Sequence, residues 1–176
     1  MLSEALSLLP EAVECEVEIN DDDEEVRGGK PRRRFSNGRG GALQQAFTTE
    51  PWLLDFLRDL TNPTLIYTGD IGTYSYYLRD GDYLDIHRDI VTCDVAVITC
   101  LHDLARDDDG GRLCLYPDRF LDPLSEIRAT PDQGAVKVRV APGQTIVLYG
   151  GIVPHALLPV LEGQERIVSV LCYRAI

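Results

Sequence analysis

From Thr64 onward the apolar residues come in short β-rich runs separated by turn residues: TLIYTG, YSYYL, DYLDIHR, DVAVITCL, GRLCLYP, AVKVRV, TIVLYG, HALLPV and RIVSVLCY. No helix of ordinary length fits between most of them, so the predicted sheet is largely antiparallel. About eight such strands predict a mainly β fold, a double-sheet jelly roll (double-stranded β-helix) or a barrel, rather than an α/β fold. The first sixteen residues have a helical period instead (Leu2, Ala5, Leu6, Leu9, Val13), with a break at Pro10. Ala42 to Leu60 reads as two helices divided at Thr49-Glu50-Pro51, the second placing Trp52, Leu53, Phe56, Leu57 and Leu60 on one face that needs a sheet to cover. The expectation is a single domain over 1–176, with N-terminal helices in 1–60 packed on one face of a jelly-roll core in 64–176.

Between these parts lies a stretch with no apolar period. Residues 20–41 hold five acids followed by six bases among many glycines. Such composition predicts a charged loop, read either as a solvated surface segment or as a flap over a binding site. In the second reading Lys30, Arg32, Arg33 and Arg34 face an anionic substrate.

The formal net charge of -12 opposes binding to nucleic acid, since a polyanion would approach a like-charged body. Cys15, Cys93, Cys100, Cys114 and Cys172 form no CxxC and mostly lie in apolar runs, which predicts buried reduced thiols and a cytoplasmic location. The first residues carry acids where a signal peptide carries bases, and no apolar run reaches membrane-spanning length. A soluble protein without a membrane partner is expected.

The stretch GDYLDIHRD places His87, Arg88 and Asp89 together. His-Arg-Asp also opens the catalytic loop of protein kinases, but 176 residues are too few for two lobes. A Gly-rich loop on a strand and a following DFG are both missing, and Asp94 stands where the loop requires Asn. In a β protein His87 and Asp89, two apart at a strand end, project to one face. His155 opens a strand that an antiparallel jelly roll can return beside them. Two imidazoles and a carboxylate form the facial triad that leaves a non-haem Fe(II) open on one side. Alone, an HxD triplet is weak; Arg166 adds to it, because a guanidinium among Ile167, Val168, Val170 and Leu171 demands an anionic partner. That partner is either a ligand carboxylate or one of the nearby Glu162 and Glu165.

Four ordered segments, YLRDGDYLDIHRD, GGRLCLYP, APGQTIVLYGGIVPHALLPV and ERIVSVLCYR, resemble the Fe(II)/2-oxoglutarate-dependent oxygenases, particularly the prolyl-4-hydroxylase-like branch. The likeness runs from Tyr77 to Arg174. It implies that His87, Asp89 and His155 are the catalytic metal ligands, that Arg166 binds the distal carboxylate of 2-oxoglutarate, and that Tyr77 and Leu113 contact the co-substrate. Fe(II), 2-oxoglutarate and O2 are the implied cofactors, with ascorbate in support.

Three departures stand out. Val168 occupies the position two beyond the arginine where many relatives carry Ser or Thr, and strand alternation points Ser169 away unless a bulge intervenes. The run CLHDL replaces the relatives' Tyr-Leu-Asn, so Cys100 or His102 alters the pocket or is an ordinary strand residue. Gly150-Gly151 is either a strand-edge turn or a close approach of backbone to substrate.

The retained Asp89 implies hydroxylation, or a desaturation or cyclisation derived from it, instead of halogenation. The resemblance thus implies a dioxygenase that hydroxylates an unactivated C–H bond of a small-molecule or amino-acid-like substrate and decarboxylates 2-oxoglutarate to succinate. The alternatives are a hydroxylase of peptide or protein residues and a non-catalytic jelly-roll binding module. Demethylation of nucleic acid fits less well, because no second arginine follows Arg166 closely.

Overall fold

A computed structural model describes residues 1–21, 27, 29–61, 65–67, 72–104 and 110–176. Among the described residues four α-helices form: α1 (Leu2–Leu8), α2 (Ala42–Thr48), α3 (Pro51–Thr61) and α4 (Leu124–Ala129). Eleven strands follow among the described residues: β1 (Val13–Val17), β2 (Arg33–Arg39), β3 (Leu65–Tyr67), β4 (Thr73–Tyr77), β5 (Tyr83–His87), β6 (Val95–Asp103), β7 (Leu113–Leu115), β8 (Val136–Val138), β9 (Thr145–Leu148), β10 (His155–Leu157) and β11 (Arg166–Ala175).

Every pairing between these strands is antiparallel. The strand order is β8-β7-β10-β5-β2-β4-β11-β6-β9, with β1 beside β2 and β3 beside β11. The sheet curls, since strands from both halves of that order line one cavity. This is the expected jelly roll, with more strands than the apolar runs alone predict.

The additional strands correct the reading of residues 20–41 as a loop. Residues 33–39 form β2, which joins the two halves of the roll: Arg33 and Arg34 pair with Leu84 and Tyr83 of β5, and Ser36 to Arg39 pair with Tyr76 to Thr73 of β4. Phe35 lies at the crossing. The strand escapes an apolar-pattern search because its inward positions Arg33, Phe35 and Asn37 are mostly polar and face a cavity instead of a core. Of the rest of that segment, residues 22–26 and 28 lie outside the described residues.

Period-two alternation in β4 sets the two faces of the larger half. Tyr74 and Tyr76 point outward and pack with Ala5 of α1 and with Ile167, whereas Ser75 and Tyr77 point into the cavity. Beside them α3 covers the sheet through Leu53 and Leu57, which meet Leu65, Val95, Val97, Leu171 and Tyr173. Full burial of each such leucine contributes on the order of 1.5–3 kcal/mol. The predicted apolar face of α3 is thus narrower than the sequence suggests. Trp52, Phe56 and Leu60 are each more than half exposed, because a helix on a sheet buries one row of side chains and this row is Leu53, Leu57 and Thr61.

The cysteines also differ from expectation. Cys93 and Cys172 form a disulfide, while Cys15, Cys100 and Cys114 are not disulfide-bonded. Pairing of β6 with β11 brings the two ends together: Cys172 lies opposite Ala96, and Asp94 N–H donates to Tyr173 O. The bond removes the cysteine-based argument for a reducing compartment. No described helix is long and apolar enough to cross a membrane.

Candidate active site

The cavity between the two halves has a volume of about 570 Å³. His87, Asp89 and His155 line it, and so do Arg166, Tyr77 and Leu113. His87 ends β5 and His155 begins β10, and the two residues are direct partners across that antiparallel pair. Residues 68 apart in sequence thereby place their rings 4.3 Å apart, centre to centre. Asp89 follows two residues after His87, tied down where its N–H donates to Gly150 O.

The three side chains converge. Their ligand atoms all lie within 4.8 Å of one another, with Asp89 Oδ1 at 3.6 Å from His87 Nε2 and 3.7 Å from His155 Nε2. Each imidazole is oriented by its other nitrogen. His87 Nδ1 contacts Asp85 O and His155 Nδ1 contacts Val153 O, both at 2.9 Å. A carbonyl only accepts, so both Nδ1 atoms carry the proton and both Nε2 lone pairs face the Asp89 carboxylate.

Electrostatics favour the ligating forms. Burial, helped by the adjacent His87, pulls the His155 imidazole down to about 4, against the opposing pull of Asp89. Burial alone would raise the Asp89 carboxyl, but His155, His87 and Arg27 outweigh it and hold it below its ordinary value. A neutral imidazole and an ionised carboxylate are what a divalent cation binds. The residues fit such an ion by another observation: Asp89 Oδ2 is buried with no hydrogen-bond partner, an acceptor that a metal or its bound water would satisfy.

Two features hold Asp89 in place that the sequence does not announce. Arg27 donates to the carbonyls of Asp89 (3.1 Å), Ile90 (2.7 Å) and Cys93 (2.5 Å) and pairs with the Asp94 carboxylate, clamping the loop that carries the ligand. Gly150-Gly151 is a close approach to these side chains. A Cβ on Gly150 would fall 1.8 Å from Asp89 Oδ2, and one on Gly151 2.1 Å from an Arg27 guanidinium nitrogen.

Deeper in the cavity, Arg166 begins β11 opposite Tyr77 of β4. Its anionic partner within the protein is neither Glu162 nor Glu165 but Asp103 of β6, with Nη1 to Oδ2 at 3.0 Å and a second bond to Val140 O. Arg139 meets the same carboxylate at 3.1 Å. Arg166 Nε remains buried without a partner, so a ligand carboxylate fits the guanidinium edge that Asp103 does not use. Tyr77 stacks on Phe35 with centroids 5.0 Å apart, and burial raises its hydroxyl well above its ordinary value, keeping it a hydrogen-bond donor. Leu113 opens β7 after Gly111, whose φ of +66° turns the chain into the strand.

The departures resolve in the same geometry. Val168 lines the cavity, while Ser169 accepts a 2.7 Å hydrogen bond from Gln44 of α2 on the opposite face. His102 meets Glu165 at 3.3 Å and stays apart from the triad. Asp103, Arg139 and Arg27 were not singled out from the sequence. Asp103 alone had a signal, as an acid at the end of an apolar strand.

No protein-family model and no curated protein matches the chain. Solved structures do. A prolyl-4-hydroxylase from Pseudomonas putida is 20% identical, with a TM-score of 0.58 over 99% of this chain and 86% of that one. A prolyl hydroxylase from Trichoplax adhaerens, in complex with a hypoxia inducible factor oxygen degradation domain peptide fragment, is 19% identical, with a TM-score of 0.63 over 99% and 76%. The non-haem α-ketoglutarate-dependent epimerase SnoN from nogalamycin biosynthesis is 13% identical, with a TM-score of 0.68 over 99% and 70%. At such identities the likeness is one of fold: the chain has the double-stranded β-helix of the Fe(II)/2-oxoglutarate oxygenases. Prolyl-4-hydroxylases stand among its neighbours.

Proposed function

We propose that this protein is an Fe(II)- and 2-oxoglutarate-dependent dioxygenase that hydroxylates a C–H bond of a small-molecule or amino-acid-like substrate. The convergence of His87, Asp89 and His155 beside a partnerless Asp89 Oδ2 carries the reading. In it the two Nε2 atoms and the Asp89 carboxylate would hold Fe(II), and Arg166, with Tyr77 and Leu113 beside it, would receive the distal carboxylate of 2-oxoglutarate. Once bound, iron and co-substrate supply the oxidising power, consuming O2 and converting 2-oxoglutarate to succinate and CO2 as the substrate gains one oxygen.

The chain's own part is positioning and exclusion. The carbonyls of Asp85 and Val153 fix the imidazole tautomers, Arg27 and Gly150 fix the carboxylate, and Arg166 with Tyr77 sets the direction in which the co-substrate lies. Val168, Val170 and Ile98 form an apolar wall that keeps bulk water from the reacting centre. A cavity of about 570 Å³ has the size of a small-molecule site. A peptidyl substrate is the second reading, favoured by the likeness to a prolyl hydroxylase captured with a peptide.

Anaerobic titration with Fe(II), followed by addition of 2-oxoglutarate, tests the proposal. Wild type should bind one equivalent and then develop a visible charge-transfer band. If the triple variant H87A/D89A/H155A binds Fe(II) as tightly as wild type, the site is elsewhere.

A further inference from the structure

Two of the four bases expected to face a substrate are paired with protein carboxylates, and a third is exposed. Arg32 pairs with Asp85 at 3.0 Å and Arg34 with Asp82 at 3.3 Å, while Lys30 is an exposed residue whose backbone bridges to Asp21. Arg33 differs. It lines the cavity, its Nε is buried with no hydrogen-bond partner, and it has no ion pair among the described residues. On the same inward face of β2, Asn37 Oδ1 is also buried without a partner. Between them Phe35 stacks on Tyr77.

Arg33 and Asn37 are half-buried residues, but the guanidinium Nε of the one and the amide Oδ1 of the other are buried without partners, which is costly unless a ligand completes them. Arg166 is the cation assigned to the co-substrate and Arg88 is held by the carbonyls of Ile152, Phe120 and Asp122, so Arg33 is a further cation in the same cavity. We infer that Arg33 is the handle for a carboxylate on the substrate, with Asn37 Oδ1 accepting from a hydrogen-bond donor elsewhere on the substrate and the Phe35–Tyr77 pair as the apolar wall between them. This rests on the oxygenase reading and narrows its substrate class to carboxylates with an adjoining apolar or aromatic portion.

The test uses the full chain loaded with Zn(II), which keeps the protein diamagnetic, and follows arginine Nε–H signals by NMR. R33Q and R166Q assign the two signals, with R33K as the alternative should R33Q fail to fold. Phenylacetate is the probe and phenylacetamide its neutral match. After 2-oxoglutarate is added, phenylacetate should shift the Arg33 signal saturably and phenylacetamide should not. R33Q should weaken phenylacetate binding at least tenfold. The inference is overturned if the Arg33 signal ignores phenylacetate, responds equally to the amide, or is already saturated by 2-oxoglutarate alone. The oxygenase reading fails separately, by an Arg166 signal that 2-oxoglutarate leaves unmoved.

Discussion

Gly150 lies so close to Asp89 that a single added methyl group would stand 1.8 Å from the carboxylate oxygen Oδ2. The contact is inside any van der Waals limit, so either the β9–β10 turn or the carboxylate has to move. G150A should therefore bind Fe(II) at least tenfold more weakly than wild type while keeping a wild-type far-ultraviolet spectrum. Unchanged metal affinity would show that Asp89 is not held by this approach.

Arg27 acts on the same carboxylate through the backbone, with three carbonyls of the 89–93 segment converging on its guanidinium. Lysine lacks the planar fork that satisfies several acceptors at once. R27K should then restore little of what R27A loses. Both should raise hydrogen exchange in residues 89–94 and weaken metal binding by about the factor of 10–100 that outer contacts to metal ligands contribute. Wild-type exchange in R27A would dismiss the clamp.

Arg166 and Asp103 form a nearly fully buried pair. Truncating one partner of such a pair costs about 3–5 kcal/mol, because the other charge stays buried. D103A should lose stability of that order in urea melts. R166L should raise the Kd for 2-oxoglutarate tens-fold with Fe(II) affinity kept, as expected for loss of a buried charge-assisted contact. An R166L protein with wild-type 2-oxoglutarate affinity would take Arg166 out of the site.

The Cys93–Cys172 bond closes a loop of 79 residues. Cross-linking a loop of this length destabilises the unfolded chain by about 4.5 kcal/mol in the chain-entropy account. C93S/C172S should be destabilised by about 2–4 kcal/mol, and denatured wild type without reductant should show three free thiols. Five titratable thiols would exclude the bond.

The depressed His155 imidazole gives a pH dependence with a definite sign. In the metal-free protein the unfolded chain takes up this proton near pH 6.5, whereas the folded chain takes it up only near 4. Between those values the unfolded state binds more protons, so stability falls as pH falls, by about 3 kcal/mol in all. Above pH 6.5 the contribution is flat. H155Q should lose the slope between pH 6.5 and 4 in urea titrations; the same slope in H155Q would assign it to another group.

How much of this was legible in the chain depends on the range of the interaction. Short β-rich runs such as VAVITC and RIVSVLCY, bounded by turn residues, announce strands because residue type and turn chemistry are local properties of the chain, and enough of them in one domain imply a jelly roll. The His87–Asp89 pair was legible for the same reason, since two residues apart on a strand end means one face. Strand β2 was hidden, because its inward residues Arg33 and Asn37 are polar and the usual apolar signal is absent. The facing of His155 and His87, the choice of Asp103 as partner for Arg166, the Arg27 clamp and the Cys93–Cys172 bond all join residues from about 60 to 80 positions apart. Composition and periodicity set which residues turn inward along each strand. Which inward residues meet is decided by register between strands distant in sequence, and no local pattern carries that register until the sheet closes.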